Sequence, residues 1–279
     1  MDNVELEELL AKYKRKIERF DKILKQGDKQ QLQLYKLYNT IEEQKKEIEE
    51  LYKYTIEQQE IAKFKLESLL VNDCKEKTKI IFKASDILSG DYYSIFKLKN
   101  GGILIYLLDG QGHGVSPALT IFAIATNMLQ ILNYKSNDFE YIVKTIFNEA
   151  KKFLMSGEQL SYFLIYIHND YKTIDFTGGG MYPFYIKTED NKIQKVKVNN
   201  MPFINTHPIP EIERINLEGK LVDLLLYSDG ILENRELDMS KYHPREVIKN
   251  TKLIDELKEK VKDIKFLDDV TLINLFSKL

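Results

Sequence analysis

The sequence is poor in cysteine, proline and tryptophan: it has one cysteine, Cys74, six prolines and no tryptophan in 279 residues. A single cysteine excludes an intrachain disulfide, so folding has to depend on a hydrophobic core, and a reducing, cytoplasmic setting is expected. Apolar residues make up 43% of the chain, which is sufficient for one or two globular domains.

Long apolar runs and an excess of basic residues are also absent. No stretch reaches the roughly 18 consecutive apolar residues of a membrane span, and the amino terminus, MDNVELEELL, is acidic where a signal peptide would be basic. The 41 Lys and Arg residues are balanced by 43 Asp and Glu residues, whereas a nucleic-acid binder usually has a basic excess. We therefore expect a cytoplasmic protein with no membrane span and no nucleic-acid partner.

Residues 1–72 are expected to form a long helical segment. Between Asn3 and Leu70 there is no proline and one glycine, while Lys, Glu, Gln and Leu dominate, which is typical of exposed helices. Apolar residues recur at alternating steps of four and three, at Leu6, Leu10, Tyr13, Ile17, Phe20 and Leu24. This spacing predicts a coiled-coil seam and a parallel homodimer.

The dipeptide Gly27-Asp28 is expected to interrupt this helix, because glycine favours a helix C-terminus and aspartate an N-cap. The apolar pattern resumes at Leu34, so the sequence leaves open a kink, a hairpin or a continuous rod. It also leaves open whether the segment is only a packing arm or passes a signal to the domain that follows.

From residue 75 to residue 279 the pattern changes to short β-rich runs separated by turn signals, with two helical patterns between them. The predicted strands are 79–82, 103–108, 162–168, 172–176, 184–187 and 222–227. The predicted helices are 117–132, with Ser116 as N-cap, and 139–150. This arrangement predicts an α+β domain.

Four places in this domain carry an aspartate at the end of an apolar strand or beside a glycine. They are SGDYY with Asp91, LLDGQGHG with Asp109 and Gly110, LYSDG with Asp229, and LDDVT with Asp268 and Asp269. An unpaired carboxylate near a core is unfavourable, so each requires a partner. Taken singly, an Asp-Gly pair is typical of a β-turn. Taken together, several carboxylates and a glycine carbonyl suit Mg²⁺ or Mn²⁺.

The order of these motifs resembles the PPM, or protein phosphatase 2C-like, superfamily, in the bacterial branch of the sporulation stage II protein E and stress-regulator phosphatases. The matching segments are SGDYY, DGQGHGVSPAL, FTGGGMYPFYI, LLLYSDGILEN and DDVTLI. The resemblance covers residues 75–279. It implies an αββα sandwich of two antiparallel sheets flanked by helices.

The resemblance also implies two Mn²⁺ or Mg²⁺ ions at one end of the sheets. Asp109 would bridge both ions and the Gly110 carbonyl would bind one of them. Asp229 and Asp268 would hold the other, and Asp91 would complete the cluster directly or through water. Asp268 is a better ligand candidate than the neighbouring Asp269.

Two departures from the family pattern bear on activity, and two further polar residues near the motifs are open to interpretation. Ser94 stands where the family often has an aspartate, and FTGGGMYP has glycines in place of Asn-Ala-Gly-His, so a structural turn is expected there. His113 is interpreted as shaping its loop or as a proton shuttle. Glu233, four residues after Asp229, is interpreted together with Asn234 as part of a solvated turn or of a short helix or flap.

Two functional hypotheses follow. In the first, a water molecule activated by two metal ions removes phosphate from serine or threonine of a small regulatory protein, such as an anti-anti-sigma factor, under control of the N-terminal helices. The sequence has neither a G-x-x-x-x-G-K-[ST] loop nor a cysteine phosphatase loop. In the alternative, the chain is a pseudophosphatase that serves as a binding scaffold.

Overall fold

The structure, a computed structural model, describes residues 3–112, 114–133 and 138–277. The chain forms two compact units, Met1–Glu57 and Gln58–Leu279. The first strands and helices are bounded as follows: α1 (Asn3–Glu67), β1 (Val71–Asn72), β2 (Thr78–Lys83), β3 (Asp91–Lys97), β4 (Ile103–Gly110), α2 (Val115–Asn133), α3 (Phe139–Phe153), β5 (Leu160–Ile167) and β6 (Thr173–Gly179).

The remaining elements complete the second unit. They are β7 (Phe184–Thr188), β8 (Ile193–Val196), β9 (Glu213–Asn216), β10 (Leu221–Tyr227), α4 (Gly230–Glu233), α5 (Met239–Tyr242), α6 (Pro244–Lys249), α7 (Leu253–Asp263) and β11 (Val270–Phe276). None of the helices in the described ranges combines the length and the hydropathy needed to cross a bilayer.

Helix α1 passes through Gly27 without a break, so the expected interruption at Gly27-Asp28 does not occur. A glycine inside a helix costs only about 1 kcal/mol relative to alanine, which a helix of 65 residues tolerates. No atom lies within 4 Å of the position that a Gly27 Cβ would take, so no contact requires a turn there. The predicted apolar stripe is exposed: Leu10, Ile17 and Leu24 each retain 62% of their accessible surface.

Two sheets form the centre of the second unit. The first has the strand order β1-β3-β4-β5-β6-β9, and the second has the order β2-β11-β10-β7-β8. The pairings are antiparallel except for the short pair of β1 and β3. Strand β4 reads ILIYLL without alternation because both of its faces are buried.

The layers of the sandwich follow from where alternate side chains of the strands pack. Tyr106 packs with helices α2 and α3, whereas its neighbour Leu107 packs between the sheets. In the second sheet Leu224 packs between the sheets, and Leu225 packs with α6 and α7. The expected αββα sandwich is confirmed.

The sequence-based element boundaries agree with the structure with two exceptions. The six predicted strands and both predicted helices are present, although α2 begins at Val115, so Ser116 lies in its first turn rather than at the N-cap. The segment that begins SGDYY continues as strand β3, which is not among the predicted strands. Its residues 91–97 face buried side chains on both sides, which a local turn signal does not reveal.

Candidate metal centre

The first pair of candidate ligands comes from two neighbouring strands of the first sheet. Asp91 is the first residue of β3 and Asp109 is the last but one of β4, and the antiparallel register places them directly opposite each other. Directly opposed side chains lie on the same face of a sheet, with Cβ atoms about 5 Å apart. Asp91 is buried, with 4% of its surface exposed.

The second pair comes from the second sheet. Asp229 follows β10, and Asp268 precedes β11. Because β10 and β11 are antiparallel neighbours, the end of one strand lies beside the start of the other. The Ser228 amide donates to the Thr271 carbonyl at 2.9 Å, and the Thr271 amide donates to Ser228 Oγ at 2.9 Å, which fixes this junction.

A hydrogen bond between the sheets brings the two pairs together. The Thr271 hydroxyl donates to Asp91 Oδ2 at 2.6 Å, although the residues are 180 positions apart in the sequence. Thr271 therefore connects the edge that carries Asp229 and Asp268 with the edge that carries Asp91 and Asp109.

A group of three carboxylates in this region has the dimensions of a cation site. One carboxylate oxygen from each of Asp229, Glu233 and Asp268 lies within 4.8 Å of the other two. Glu233 ends the short helix α4, which Asp229 precedes. The interpretation of Glu233 as part of a solvated turn missed this contact. The spacing of four residues was the available signal, since it places two side chains on one face of a helical turn.

The pKa values of these carboxyl groups reflect their mutual proximity. Burial, and then the negative charges of Asp91, Asp229, Asp268 and Asp269, raise the pKa of Asp109 well above its ordinary value.

Similar causes act on the other carboxyl groups. Burial raises the pKa of Asp91 to about 8; the Thr271 hydrogen bond acts in the opposite direction, and the negative charges of Asp269 and Asp229 raise the pKa further. Burial, followed by the charges of Asp268 and Glu233, raises the pKa of Asp229 to about 6.

The donor set fits divalent cations that prefer oxygen ligands. Several carboxylates held together repel one another when ionised, and a divalent cation between them offsets both the repulsion and the burial of charge. Oxygen donors without a cysteine or histidine among them suit Mg²⁺ and Mn²⁺ rather than a structural zinc.

Asp269, the second aspartate of its pair, is held by the loop of residues 84–90. Its Oδ1 accepts hydrogen bonds from the Ser85 amide at 2.7 Å and the Ser85 hydroxyl at 3.0 Å, and its Oδ2 accepts from the Gly90 amide at 2.5 Å. Both oxygens are thus used to fix the loop that leads into Asp91. This geometry agrees with the preference for Asp268 as ligand, which stays a prediction.

Two glycines in the motifs permit close backbone packing. A Cβ on Gly90 would lie 3.0 Å from the Gly112 carbonyl oxygen and 3.1 Å from that of Gly110. A Cβ on Gly230 would lie 2.1 Å from the Asp269 carbonyl oxygen, which is closer than a side chain can approach. These two glycines therefore allow the segments that carry the carboxylates to contact one another directly.

The other residues discussed from the sequence have different surroundings. Ser94 is fully buried, and its hydroxyl lies 2.7 Å from Tyr92 Oη and accepts from the Val71 amide at 3.3 Å. The glycines of FTGGGMYP belong to the end of β6, where a Cβ on Gly179 would meet the Met201 carbonyl oxygen at 2.2 Å. His113 lies outside the described residues.

Comparisons with known proteins identify the family. A family model described as stage II sporulation protein E (SpoIIE) matches residues 99–275, which is more than half of the chain. A comparison with curated protein sequences finds no match.

Three solved structures are similar in fold. The SiaA-PP2C domain of Pseudomonas aeruginosa has a TM-score of 0.61 and 18% identity, and the match covers 81% of this chain and 98% of that chain. The RsbU and RsbW domains of a Mycobacterium tuberculosis protein have a TM-score of 0.57 and 15% identity, and the match covers 71% of this chain and 61% of that chain. The PP2C phosphatase domain of SpoIIE from Bacillus subtilis, with a fragment of its regulatory domain, has a TM-score of 0.55 and 21% identity. The match covers 72% of this chain and 63% of that chain.

Proposed function

This chain belongs to the stage II sporulation protein E family, and from that membership we propose that it is a metal-dependent phosphatase of phosphoserine and phosphothreonine in proteins. The observation that carries the proposal is the convergence of four aspartates from separate parts of the sequence. Asp91 and Asp109 are register partners in one sheet, and burial and their neighbours raise the pKa values of both. Asp229 and Asp268 approach the same region from the other sheet.

Five residues would hold two Mn²⁺ or Mg²⁺ ions. Asp109, the Gly110 carbonyl, Asp229 and Asp268 would supply ligand oxygens, and Asp91 would complete the cluster directly or through water. Glu233 belongs to the same group because its carboxylate lies within 4.8 Å of those of Asp229 and Asp268.

Two bound divalent cations would supply a water molecule with a lowered pKa and would neutralise the phosphoryl oxygens. The residues of the chain supply position and charge. Thr271 orients the Asp91 carboxylate through its hydroxyl, and Asp269 holds the loop that leads into Asp91. No side chain has to carry the phosphoryl group.

The substrate proposed is a small phosphorylated regulatory protein of the anti-anti-sigma factor type. The support is the resemblance to bacterial regulatory phosphatases, among them the SiaA-PP2C domain and the SpoIIE phosphatase domain. For the N-terminal segment, residues 1–72, we propose a parallel homodimer that regulates the phosphatase domain, residues 75–279. The exposed apolar stripe of α1 supports dimerisation.

Metal-dependent hydrolysis tests the assignment. We expect the full chain to release phosphate from p-nitrophenyl phosphate and from a phosphoserine peptide with Mn²⁺ or Mg²⁺, and to lose this activity in EDTA. Asp109→Asn should lose activity together with metal binding in a calorimetric titration. The control is Asp263→Asn, an exposed aspartate at the end of α7, which should behave as wild type.

Two results would overturn the proposal. One is a folded wild-type protein that hydrolyses neither substrate with any divalent metal, which would favour the scaffold hypothesis. The other is full activity and full metal binding in Asp109→Asn.

A further inference from the structure

A groove follows the outer edge of β2, outside the acidic cluster. β2 is the edge strand of the second sheet, and among the described residues it pairs with β11 alone. The groove has a volume of about 660 Å³, and the residues of β2 that line it are Thr78, Ile80, Ile81, Phe82 and Lys83. An edge strand presents unpaired backbone N–H and C=O groups, which can pair with another extended segment.

The two walls of the groove differ in chemistry. On one side, helix α7 contributes Lys258 and Lys262, both exposed. On the other side, Phe82 and Tyr93 form an edge-to-face pair with ring centroids 5.5 Å apart. Successive side chains of an extended segment point to opposite sides, so a strand in this groove would present one set of side chains to lysines and the other to aromatic rings.

The charged side chains that line the groove are all basic. Four lysines line it, and no acidic side chain of the described residues does. The Lys83 ammonium donates hydrogen bonds to the carbonyls of Val261 and Ile264. The Lys262 ammonium forms an ion pair with Glu259 at 2.6 Å.

The remaining two lysines, Lys75 and Lys258, form no ion pair with any described residue. Lys258 lies on α7, and Lys75 lies in a single 3-10 turn, Lys75–Lys77, directly before β2. Such a surface repels basic segments and attracts acidic ones.

We propose that this groove binds an extended, acidic segment of a partner protein, which pairs with β2 as an added strand. The six residues of β2 span roughly 20 Å at about 3.3 Å per residue, so the segment would be about six residues long, with acidic side chains alternating with apolar ones. A nucleic acid matches the charge of the groove but lacks the backbone groups that pair with a strand edge. The site is separate from the acidic cluster, and its occupancy does not depend on the phosphatase proposal.

Fluorescence anisotropy with the full chain tests this. The probe is a labelled octapeptide of alternating glutamate and valine, and the comparison peptide has lysine in place of glutamate. We expect the acidic peptide alone to bind, with an affinity that falls as salt is added. The double variant Lys258→Glu, Lys262→Glu should weaken binding by about tenfold or more, while Lys260→Glu on the same helix, outside the groove lining, should leave it unchanged.

Backbone pairing is tested with two acidic peptides that are N-methylated at odd or at even positions. Strand addition predicts that one of the two loses binding and the other retains it, because only alternate amides face β2. Equal binding by both would overturn the strand geometry.

Three other outcomes would overturn the proposal: no binding of the acidic peptide, unchanged binding in the double variant, or tighter binding of an eight-nucleotide thymidine oligomer that displaces the peptide. Self-association that disappears in the double variant would identify a second copy of the chain as occupant instead of a partner protein.

Discussion

The Thr271 hydroxyl donates a hydrogen bond of 2.6 Å to Asp91 Oδ2 and thereby joins the two sheets at the acidic cluster. Asp91 is buried, and burial raises the pKa of its carboxyl group to about 8, while the Thr271 hydrogen bond acts in the opposite direction. Thr271 thus favours the ionised form, which is the form that binds a cation.

Replacing Thr271 with valine should weaken metal binding. Valine keeps the shape but removes the donor, so the pKa of Asp91 should rise further and more of the carboxyl group should be protonated at neutral pH. A lost hydrogen bond of this kind is worth about 0.5–1.5 kcal/mol, which corresponds to a roughly two- to tenfold loss in Mn²⁺ affinity by calorimetry. Thr271→Ser keeps the hydroxyl and should bind as wild type; equal loss in both variants would contradict the role of the hydrogen bond.

The neighbours Asp268 and Asp269 should give opposite phenotypes. Asp268→Asn should reduce metal binding and leave the amides of Ser85 and Gly90 protected from hydrogen exchange. Asp269→Asn should expose at least one of these two amides, because they donate to different oxygens of Asp269 and an amide side chain offers one acceptor oxygen in place of two. It should also lower the free energy of unfolding by about 1–3 kcal/mol.

Hydrogen exchange by mass spectrometry and denaturant unfolding, both without metal, measure these effects. Unchanged protection of Ser85 and Gly90 in Asp269→Asn would contradict the structural role of that carboxylate.

The metal-free protein should lose stability as pH rises. The carboxyl groups of Asp91 and Asp229 have folded-state pKa values of about 8 and 6, above the unfolded value of about 3.9. Their contribution is complete below pH 4 and is lost as pH rises through 6 for Asp229 and through 8 for Asp91, because the unfolded chain ionises first.

Excess Mg²⁺ should reverse this trend, since it binds the ionised carboxylates. Thermal unfolding in EDTA and in Mg²⁺ at pH 5.5, 7 and 8 measures the difference in Tm, which should widen with pH. A difference that is constant or narrows towards pH 8 would show that these carboxylates do not bind the ion.

Glu233 should contribute to one cation site. Glu233→Gln removes a charge from the group formed with Asp229 and Asp268, so the affinity for one ion should fall by about tenfold or more, and the pKa of Asp229 should move down. Glu236→Gln, an exposed neighbour in the same segment, is the matched control. Equal metal titrations for both variants and wild type would exclude Glu233 from the site.

The exposed stripe of α1 should hold a dimer together. Replacing Leu10, Ile17 and Leu24 with lysine places charge along the predicted seam and should halve the mass measured by light scattering. The control carries Arg15→Glu, Lys22→Glu and Lys29→Glu, which lie on the helix face opposite the seam and are exposed, and it should keep the wild-type mass. A wild-type protein that is already monomeric at micromolar concentration would contradict the dimer.

Much of the fold can be predicted from the residue pattern within single segments. Helix α3 was predicted from the spacing of its apolar residues, and the same positions, such as Ile142 and Ile146, are buried against the first sheet. Strand β4 was predicted from an unbroken apolar run that ends in Asp109. The spacing of apolar residues within one segment is enough to predict whether it is a helix or a strand, because that spacing reflects which faces of the segment are buried.

The sequence by itself determined which residue types carry the chemistry, namely four aspartates at strand ends in the motif order of a known family. It also determined that a helix with an apolar stripe precedes them. Only the tertiary structure decided that Thr271 supports Asp91, that Asp269 holds the loop of residues 84–90, and that Glu233 joins Asp229. These contacts depend on the register and packing of strands far apart in the sequence, and no local pattern specifies that register. The same holds for the basic groove, which exists because β2 is the edge strand and α7 lies beside it.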